Sequence, residues 1–335
     1  MGAALRTVES RRGEGMAVTL LLSLASAVLG LLVTPSEALA WGPATHVAIG
    51  EAVLASLHLL PPAVRTLLSM HRLPFLYGSV AADISFAKKY AAVGRHSHHW
   101  HIGHEILESA DSELLRAVSL GYLSHLAADT IAHNFFVPRR LLLTSRSHTV
   151  GHTYWEHRMD IHLGKRFGRE ARRIVLFHDH SEADELFDRV LSRTLFSFRT
   201  NRRIFRGMIA FQDDQRWQQI FDEILRRSRF DLPDEYRERY IRLSYDFVMD
   251  FLAEGEKARA MALDPVGEAR LKLAKVVRRE ARSGGGMDAD RIEALAERHF
   301  ALPSDPLIYV PRAPTGIGVP GLHRDTHRLS DPLSD

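Results

Sequence analysis

The chain has 335 residues, of which 45% are hydrophobic and 25% are charged, and it contains no cysteine. These proportions are typical of a folded globular protein and exclude a largely disordered chain, while the lack of thiols excludes disulfide bonds and cysteine metal ligands. The formal net charge of +3 at pH 7 is mild. It favours anionic partners such as phospholipid or nucleic acid without distinguishing between them.

The first forty residues have the pattern of a secretory signal peptide. Three arginines precede an apolar run over residues 16–33, and Ala38-Leu39-Ala40 places small side chains where signal peptidase cleaves. We therefore predict a signal peptide over residues 1–40, export to the periplasm or secretion, and a mature chain that begins at Trp41. The alternative is an uncleaved membrane anchor, since the apolar run nearly reaches the length of a spanning helix.

Apolar residues recur at helical spacing through most of the remaining chain. We predict a helix over 44–60, ended by Pro61-Pro62, a second helix up to Met70, and a loop over 73–84. A long helix follows over 112–136, and Pro138 is expected to stop it. Further helical patterns cover 152–167, 183–196, 202–211, 217–227 and 234–254. No sustained alternation of period two is present, so the predicted fold class is all-α.

The C-terminal part contains two more helical patterns and a proline-rich end. Residues 283–286 predict a flexible break between helices over 260–282 and 290–299, and six prolines follow Leu302. The predicted organisation is therefore a helical domain over 41–260, a helical extension over 261–302 and a flexible tail over 303–335.

Histidine is concentrated in one stretch of the chain, since sixteen of the nineteen lie between His46 and His180. His125, Asp129 and His133 follow one another at intervals of four on a predicted helix, so all three lie on one face. That face is otherwise apolar, and burying three polar side chains there without partners would cost several kcal/mol. Metal ligation is therefore favoured over a polar stripe inside a bundle.

Three other segments offer ligands. His152 and Glu156 are again four apart, a spacing that is also common for ordinary pairs on exposed helices. Asp83 lies among small and apolar residues, where it either caps a helix or orients a metal-bound water molecule. The third segment holds four histidines within six residues, which are His96, His98, His99 and His101. We expect one of these four to bind metal.

Cleavage after Ala40 would itself create a ligand. The free α-amine and the carbonyl of Trp41 can chelate a metal ion in a five-membered ring, and His46 lies five residues along the chain.

Taken in chain order, these residues resemble the bacterial zinc-dependent phospholipase C family, whose superfamily also contains the single-strand nucleases. The likeness is strong over about 41–156 and implies an all-α multi-helix bundle with three zinc ions at the bottom of a cleft. It implies three ligand groups, which are Trp41, His46 and Asp129; His98, His125 and Asp129; and His133, His152 and Glu156. Asp83 would lie beside the second ion, as a ligand and as the catalytic residue that positions the attacking water. The resemblance favours His98 over His99, whereas His96, Asn134 and Tyr154 either orient ligands or pack around the site.

The same resemblance implies hydrolysis of a phosphodiester by a zinc-bound hydroxide. The first choice is a phospholipase C that releases diacylglycerol and a phosphorylated headgroup at a membrane surface, without an obligate protein partner. The alternatives are a single-strand nuclease acting on nucleic acid, and a non-catalytic exported protein that zinc stabilises. Two departures from the family pattern are present. His133 follows Asp129 after only four residues, which requires a continuous helix, and Ile84 stands where choline-cleaving enzymes carry an aromatic residue.

Overall fold

The computed structural model describes residues 41–85, 94–144, 154–155, 158–191, 197–212, 232–283 and 289–310. Within these ranges the chain is helical and contains no strand, which confirms the predicted all-α fold. The predicted signal peptide, the predicted helix over 217–227 and two predicted ligands, His152 and Glu156, lie outside the described residues. No helix in the described part combines the length and the apolar character that crossing a membrane requires.

The described part contains twelve α-helices: α1 Pro43–Ala55, α2 Pro62–Met70, α3 Arg72–Ala81, α4 Trp100–Glu108, α5 Glu113–Ile131, α6 Val137–Thr144, α7 Lys165–Phe177, α8 Ser181–Val190, α9 Phe198–Gln212, α10 Asp234–Glu254, α11 Glu268–Ser283 and α12 Ala289–Phe300. Shorter turns of 3₁₀ helix cover Leu57–Leu59, Ala82–Ile84, Gly255–Lys257 and Arg259–Ala262, and a π-helical segment covers Ala132–Phe136.

Helix α5 forms the centre of the bundle. The hydroxyl of Ser112 accepts a hydrogen bond from the backbone N–H of Leu115 and caps the helix. From residue 121 to 131 every side chain is buried, because α3, α4 and α10 pack around this stretch. Any polar group on this part of α5 is therefore held away from water.

The prediction of a loop over 73–84 is wrong, since α3 and a 3₁₀ turn occupy it. Pro74 lies in the first turn of α3, where its missing N–H removes no helical hydrogen bond. Gly78 is a packing residue, because a Cβ there would lie 2.0 Å from the carbonyl oxygen of Val118 in α5. Gly121 fits in the same way against the carbonyl oxygen of Phe75. The two glycines let the backbones of α3 and α5 touch.

Pro138 does not stop the long helix, contrary to the prediction. The chain passes from α5 through the π segment, residues 132–136, directly into α6. A π turn widens the helix and shifts its backbone hydrogen bonds from the i−4 to the i−5 carbonyl. This shift makes room for a proline in the next turn, which has no N–H to donate and would otherwise clash with the i−4 carbonyl. His133 therefore lies on a continuous helical path, but in its widened π segment.

The predicted helix over 152–167 is interrupted at Gly164, which has φ +90° and precedes α7. Near the C-terminus, residues 303–310 belong to the predicted flexible tail, yet they pack on α10. The carboxylate of Asp246 accepts hydrogen bonds from the backbone N–H groups of Ile308 and Tyr309, and Val310 is buried. The rest of the predicted tail, residues 311–335, lies outside the described part.

Candidate metal centre

Five side chains with ligand chemistry meet at one buried point. They come from α1, the 3₁₀ turn after α3, the turn before α4, and α5, and each is at most 2% exposed: His46, Asp83, His98, His125 and Asp129. All five are among the ligands that the sequence predicts. The close approach of α3 and α5 brings Asp83 to the polar face of α5.

Asp129 lies at the centre of this cluster. Its Oδ1 is 3.3 Å from Nε2 of His46, and its Oδ2 is 3.2 Å from Nε2 of His125 and 3.4 Å from Nε2 of His98. Oδ1 of Asp83 lies 3.3 Å from the same nitrogen of His98. The two oxygens of Asp129 thus face different histidines, which is the geometry that a carboxylate shared by two metal ions needs.

The neighbouring backbone and side chains orient the imidazoles. Nδ1 of His125 lies 2.9 Å from the carbonyl oxygen of Ser79, to which it donates its proton, so Nε2 keeps the lone pair. Nδ1 of His98 lies 3.2 Å from the hydroxyl oxygen of Ser97. His46 stacks on His125 with ring centroids 3.7 Å apart. Each Nε2 atom is therefore directed into the cluster.

The structure distinguishes the four imidazoles of residues 96–101. His98 is the one that enters the cluster. The rings of His99 and His101 turn towards the carbonyl oxygen of Gly94, at 3.4 Å and 2.7 Å, while Nδ1 of His96 accepts a hydrogen bond from the backbone N–H of His98. Ligation by His98 stays a prediction, but the geometry agrees with that choice.

Trp41 is fixed against the helix that carries Asp129. Its indole N–H lies 3.1 Å from the carbonyl oxygen of Ala128 and 3.2 Å from the hydroxyl oxygen of Ser244, and its ring packs on Phe136. The side chain is fully buried. The start of the predicted mature chain is thereby tied to the residue that precedes Asp129. Ligation through the amine and carbonyl of Trp41 stays a prediction.

Asp160, which is not among the residues predicted from the sequence, supports the same N-terminal segment. Its carboxylate accepts hydrogen bonds from the backbone N–H groups of Ala44 and Thr45 and from the Thr45 hydroxyl, and so caps α1. Gly42 leaves room for it, since a Cβ there would lie 2.1 Å from Oδ2. Burial raises the pKa of Asp160 to about 6. Its position four residues after Glu156 was the signal that could have revealed it.

His133 is the one member of the third predicted ligand group that lies within the described residues. It is fully buried in the π segment, and its Nδ1 donates to the carbonyl oxygen of Pro265. Its two predicted partners, His152 and Glu156, lie outside the described residues. Their assignment therefore stays a prediction.

The charges of the cluster suit a cation. Burial, reinforced by nearby His125, lowers the pKa of His46. Burial alone would lower the pKa of His125, but the carboxylates of Asp129 and Asp83 raise it. Although burial favours a neutral acid, the three imidazoles hold the pKa of Asp129 well below its usual range. The result is a buried carboxylate anion that stabilises positive charge next to it, whether a proton on His125 or a bound cation.

Several of these atoms have no hydrogen bond of normal geometry in the described part of the chain. They are Nε2 of His46 and both carboxylate oxygens of Asp129, and all three are buried. Two overlapping groups could each hold an ion, with ligand atoms within 4.8 Å of one another: His46, Asp83 and His125, and His98, His125 and Asp129. Imidazole nitrogen and carboxylate oxygen are donors that zinc accepts, so the residues present fit zinc.

The comparison with known families agrees with this geometry. Residues 45–203 match the family described as zinc dependent phospholipase C, a range that contains all five residues of the cluster. No curated protein and no solved structure matches the chain. Over residues 45–203 the chain is therefore similar to the zinc-dependent phospholipase C family.

Proposed function

We propose that this protein hydrolyses glycerophospholipids to diacylglycerol and a phosphorylated headgroup, as a zinc-dependent phospholipase C. The observation that carries the proposal is the buried Asp129, whose two oxygens face different histidines within the family-matched range. Such a carboxylate can bridge two cations, and paired cations stabilise both the attacking and the leaving oxygen of a phosphoryl centre.

The proposed ligand set is the one that the resemblance implies, with three zinc ions per chain. Trp41, His46 and Asp129 serve one ion; His98, His125 and Asp129, with Asp83, serve the second; and His133, His152 and Glu156 serve the third. Cleavage after Ala40 and export, to the periplasm or outside the cell, belong to the same proposal, because the amine of Trp41 becomes a ligand only when that bond is cut.

Different residues of the protein have different roles in the proposed hydrolysis. Zinc, when bound, lowers the pKa of a coordinated water molecule and offsets charge on the phosphate. Asp83 lies within the ligand cluster, 3.3 Å from Nε2 of His98, where its carboxylate orients the attacking water and accepts its proton. Ser79 and Ser97 keep the imidazoles of His125 and His98 in place through their Nδ1 atoms, so the site is preorganised.

The aromatic residues near the predicted ligands favour a lipid substrate over a single-stranded nucleic acid. Proteins that bind single strands stack bases on accessible aromatic side chains. Of the four aromatic residues that the sequence places near the ligands, Phe135, Phe136 and Trp155 are buried, and only Tyr154 is partly exposed. The nuclease alternative thus lacks the platform that it needs among these rings.

Helix α7 offers a surface for an anionic membrane. Lys165, Arg169 and Arg173 are exposed along it, and Phe177 at its end is 67% exposed. Exposed cations next to an exposed aromatic ring are typical of helices that lie on a bilayer surface. A phospholipid surface is therefore the partner that we propose for this enzyme.

The test compares two substrates with one preparation. Purified zinc-loaded protein is incubated with phospholipid vesicles and, separately, with single-stranded DNA, and both diacylglycerol and DNA fragments are quantified. We expect diacylglycerol and intact DNA. Fragments without diacylglycerol would establish the nuclease, and neither product from a zinc-containing protein would favour a structural role for the metal.

A further inference from the structure

A short segment outside the family-matched range lies against His133. Residues 264–267, here called the strap, connect the last 3₁₀ turn to α11. The backbone carbonyl of Pro265 accepts a hydrogen bond from Nδ1 of His133, and the carbonyl oxygen of Asp264 lies 2.8 Å from the side-chain nitrogen of Asn134. Two consecutive residues of the π segment are thus tied to two consecutive residues of the strap.

Gly267 brings the strap into direct contact with the π segment. It has φ +63°, and a Cβ at this position would lie 2.5 Å from the carbonyl oxygen of His133 and 2.6 Å from its Cβ. No side chain fits there without displacing His133. The close contact between the strap and the π segment therefore depends on backbone shape as well as on hydrogen bonds.

The strap is itself held rigidly. The carboxylate of Asp264 accepts hydrogen bonds from the backbone N–H groups of Val266 and Glu268, at 3.0 Å and 3.1 Å. Just before it, the carbonyl oxygen of Leu263 accepts from the indole N–H of Trp100 at 2.9 Å. On the other side, the amide of Asn134 also donates to the carbonyl oxygen of Thr130 in α5. These contacts place the Pro265 carbonyl at a defined position.

We infer that the strap is a positioning element that holds His133 as a metal ligand through Nε2. The Pro265 carbonyl can only accept a hydrogen bond, so the proton of the neutral imidazole resides on Nδ1 and the lone pair on Nε2. The inference rests on the proposed function, because it takes His133 to serve the third zinc group. It adds that residues 264–267 decide the geometry of that ligand.

Two glycine variants separate this role from general destabilisation. Gly267→Ala inserts a methyl group against His133, whereas Gly255→Ala provides the control. Gly255 has φ +60°, and a Cβ added there would have no neighbouring atom within 4 Å. Both variants therefore share the strain of a positive φ, and only the first touches a ligand. Zinc per chain is measured by elemental analysis after dialysis, and zinc affinity by competition with a chelator.

We expect Gly255→Ala to bind zinc like the wild type. Gly267→Ala should lose one zinc per chain, or bind its weakest zinc roughly 10 to 100-fold less tightly, as is typical when a partner of a ligating histidine is disturbed. If Gly267→Ala keeps wild-type zinc content and affinity, the inferred role of the strap is wrong, whereas the proposed function is unaffected. A wild-type protein without zinc would overturn both.

A measurement on the unaltered protein covers the case in which Gly267→Ala does not fold. In the wild-type chain, ¹⁵N NMR of the histidine rings reports which nitrogen of His133 carries the proton. Protonation at Nδ1 supports the strap, and protonation at Nε2 contradicts it. Asn134→Ala, which removes the second tie to Asp264, should weaken the same zinc by a smaller factor; an unchanged affinity would count against the strap.

Discussion

The Nε2 atoms of His98 and His125 lie 3.0 Å apart, and both imidazoles are fully buried. Each ring has its Nδ1 next to a polar group of the protein, and Asp129 lies beside both Nε2 atoms. Two lone pairs that face each other next to a carboxylate repel, unless a proton or a cation lies among them. A proton shared by the two nitrogens satisfies this arrangement without metal, and a cation bound by both nitrogens and Asp129 satisfies it with metal.

Replacing Asp129 should remove two zinc ions at once. In Asp129→Ala both carboxylate oxygens disappear, of which Oδ1 faces His46 and Oδ2 faces His125. We expect zinc content to fall by two ions per chain and turnover to fall to background. Native mass spectrometry reads out the metal count directly.

The matched control for that experiment is Asp184→Ala. Asp184 is also a buried acid, but it accepts a hydrogen bond from Tyr77 and pairs with Arg202, away from the cluster. This variant should lose stability and keep its zinc. A full complement of zinc in Asp129→Ala would show that Asp129 is not the bridge.

Asp83→Asn tests catalysis separately from metal binding. The amide keeps the shape and one oxygen of the carboxylate but cannot accept the proton of the attacking water. Because the amide oxygen can still face the second ion, we expect zinc content and thermal stability close to those of the wild type, with kcat lower by roughly 10² to 10⁴-fold, the usual contribution of a general base. Turnover that is equal to the wild type would assign the base to another residue.

Gly78→Ala should destabilise the fold strongly. Its Cβ would meet the Val118 carbonyl at 2.0 Å and force α3 away from α5, which also moves Ser79 from His125. Overpacking of this kind costs about 1 to 3 kcal/mol or more. Gly168→Ala is the control, because that glycine lies on α7 with open space around it and should gain up to about 1 kcal/mol. Urea unfolding of both variants measures the difference.

Asp160 should make the stability of the fold depend on pH. The pKa of its carboxyl is about 6 in the folded protein, above the ordinary value of 3.8. A raised pKa means that the folded state holds the proton more tightly, so the contribution of this group is largest below pH 4 and is lost as the pH rises to 6. Two pKa units correspond to at most about 3 kcal/mol.

The difference in unfolding free energy between the wild type and Asp160→Asn isolates this group, since other pH effects cancel. Relative to the wild type, the variant should gain stability between pH 4 and pH 7. A difference that stays constant over this interval would show that Asp160 titrates normally.

Binding to anionic vesicles tests the surface of α7. Each cation near an anionic bilayer contributes about 1 kcal/mol, so Arg169→Glu should weaken binding by roughly 10-fold or more. Arg298→Glu reverses an exposed charge on α12 and serves as the control. Vesicle sedimentation at low salt measures both. If both variants lose vesicle binding equally, binding depends on the net charge of the protein rather than on the surface of α7.

Local patterns were sufficient for the fold class and for much of the ligand set. The spacing of His125 and Asp129 on one helical face follows from 3.6 residues per turn, and α5 presents both to the same point. The limits of α10 match the predicted helix over 234–254. Such features depend on residues a few positions apart, which is why a single sequence reveals them.

Local rules failed where long-range packing decides. Pro74 and Gly78 have the composition of a loop, but close contact with α5 stabilises a helix there. Pro138 is a helix breaker by propensity, yet the preceding π segment accommodates it. At Gly78 the contact with α5 outweighs a preference of about 1 kcal/mol against glycine in a helix, whereas Pro74 and Pro138 avoid the usual cost of about 3 kcal/mol through their positions in the first turn and after the π segment.

The sequence by itself determined which chemical groups this protein can bring to a metal and on which helical faces they lie, because helical periodicity is a local property of the chain. Only the tertiary structure decided that His98 rather than its neighbours enters the cluster, that Asp160 caps α1, and that Pro265 lies against His133. These relations join residues 27 to 132 positions apart. Their formation depends on how closely separate helices pack, and no short sequence pattern specifies that.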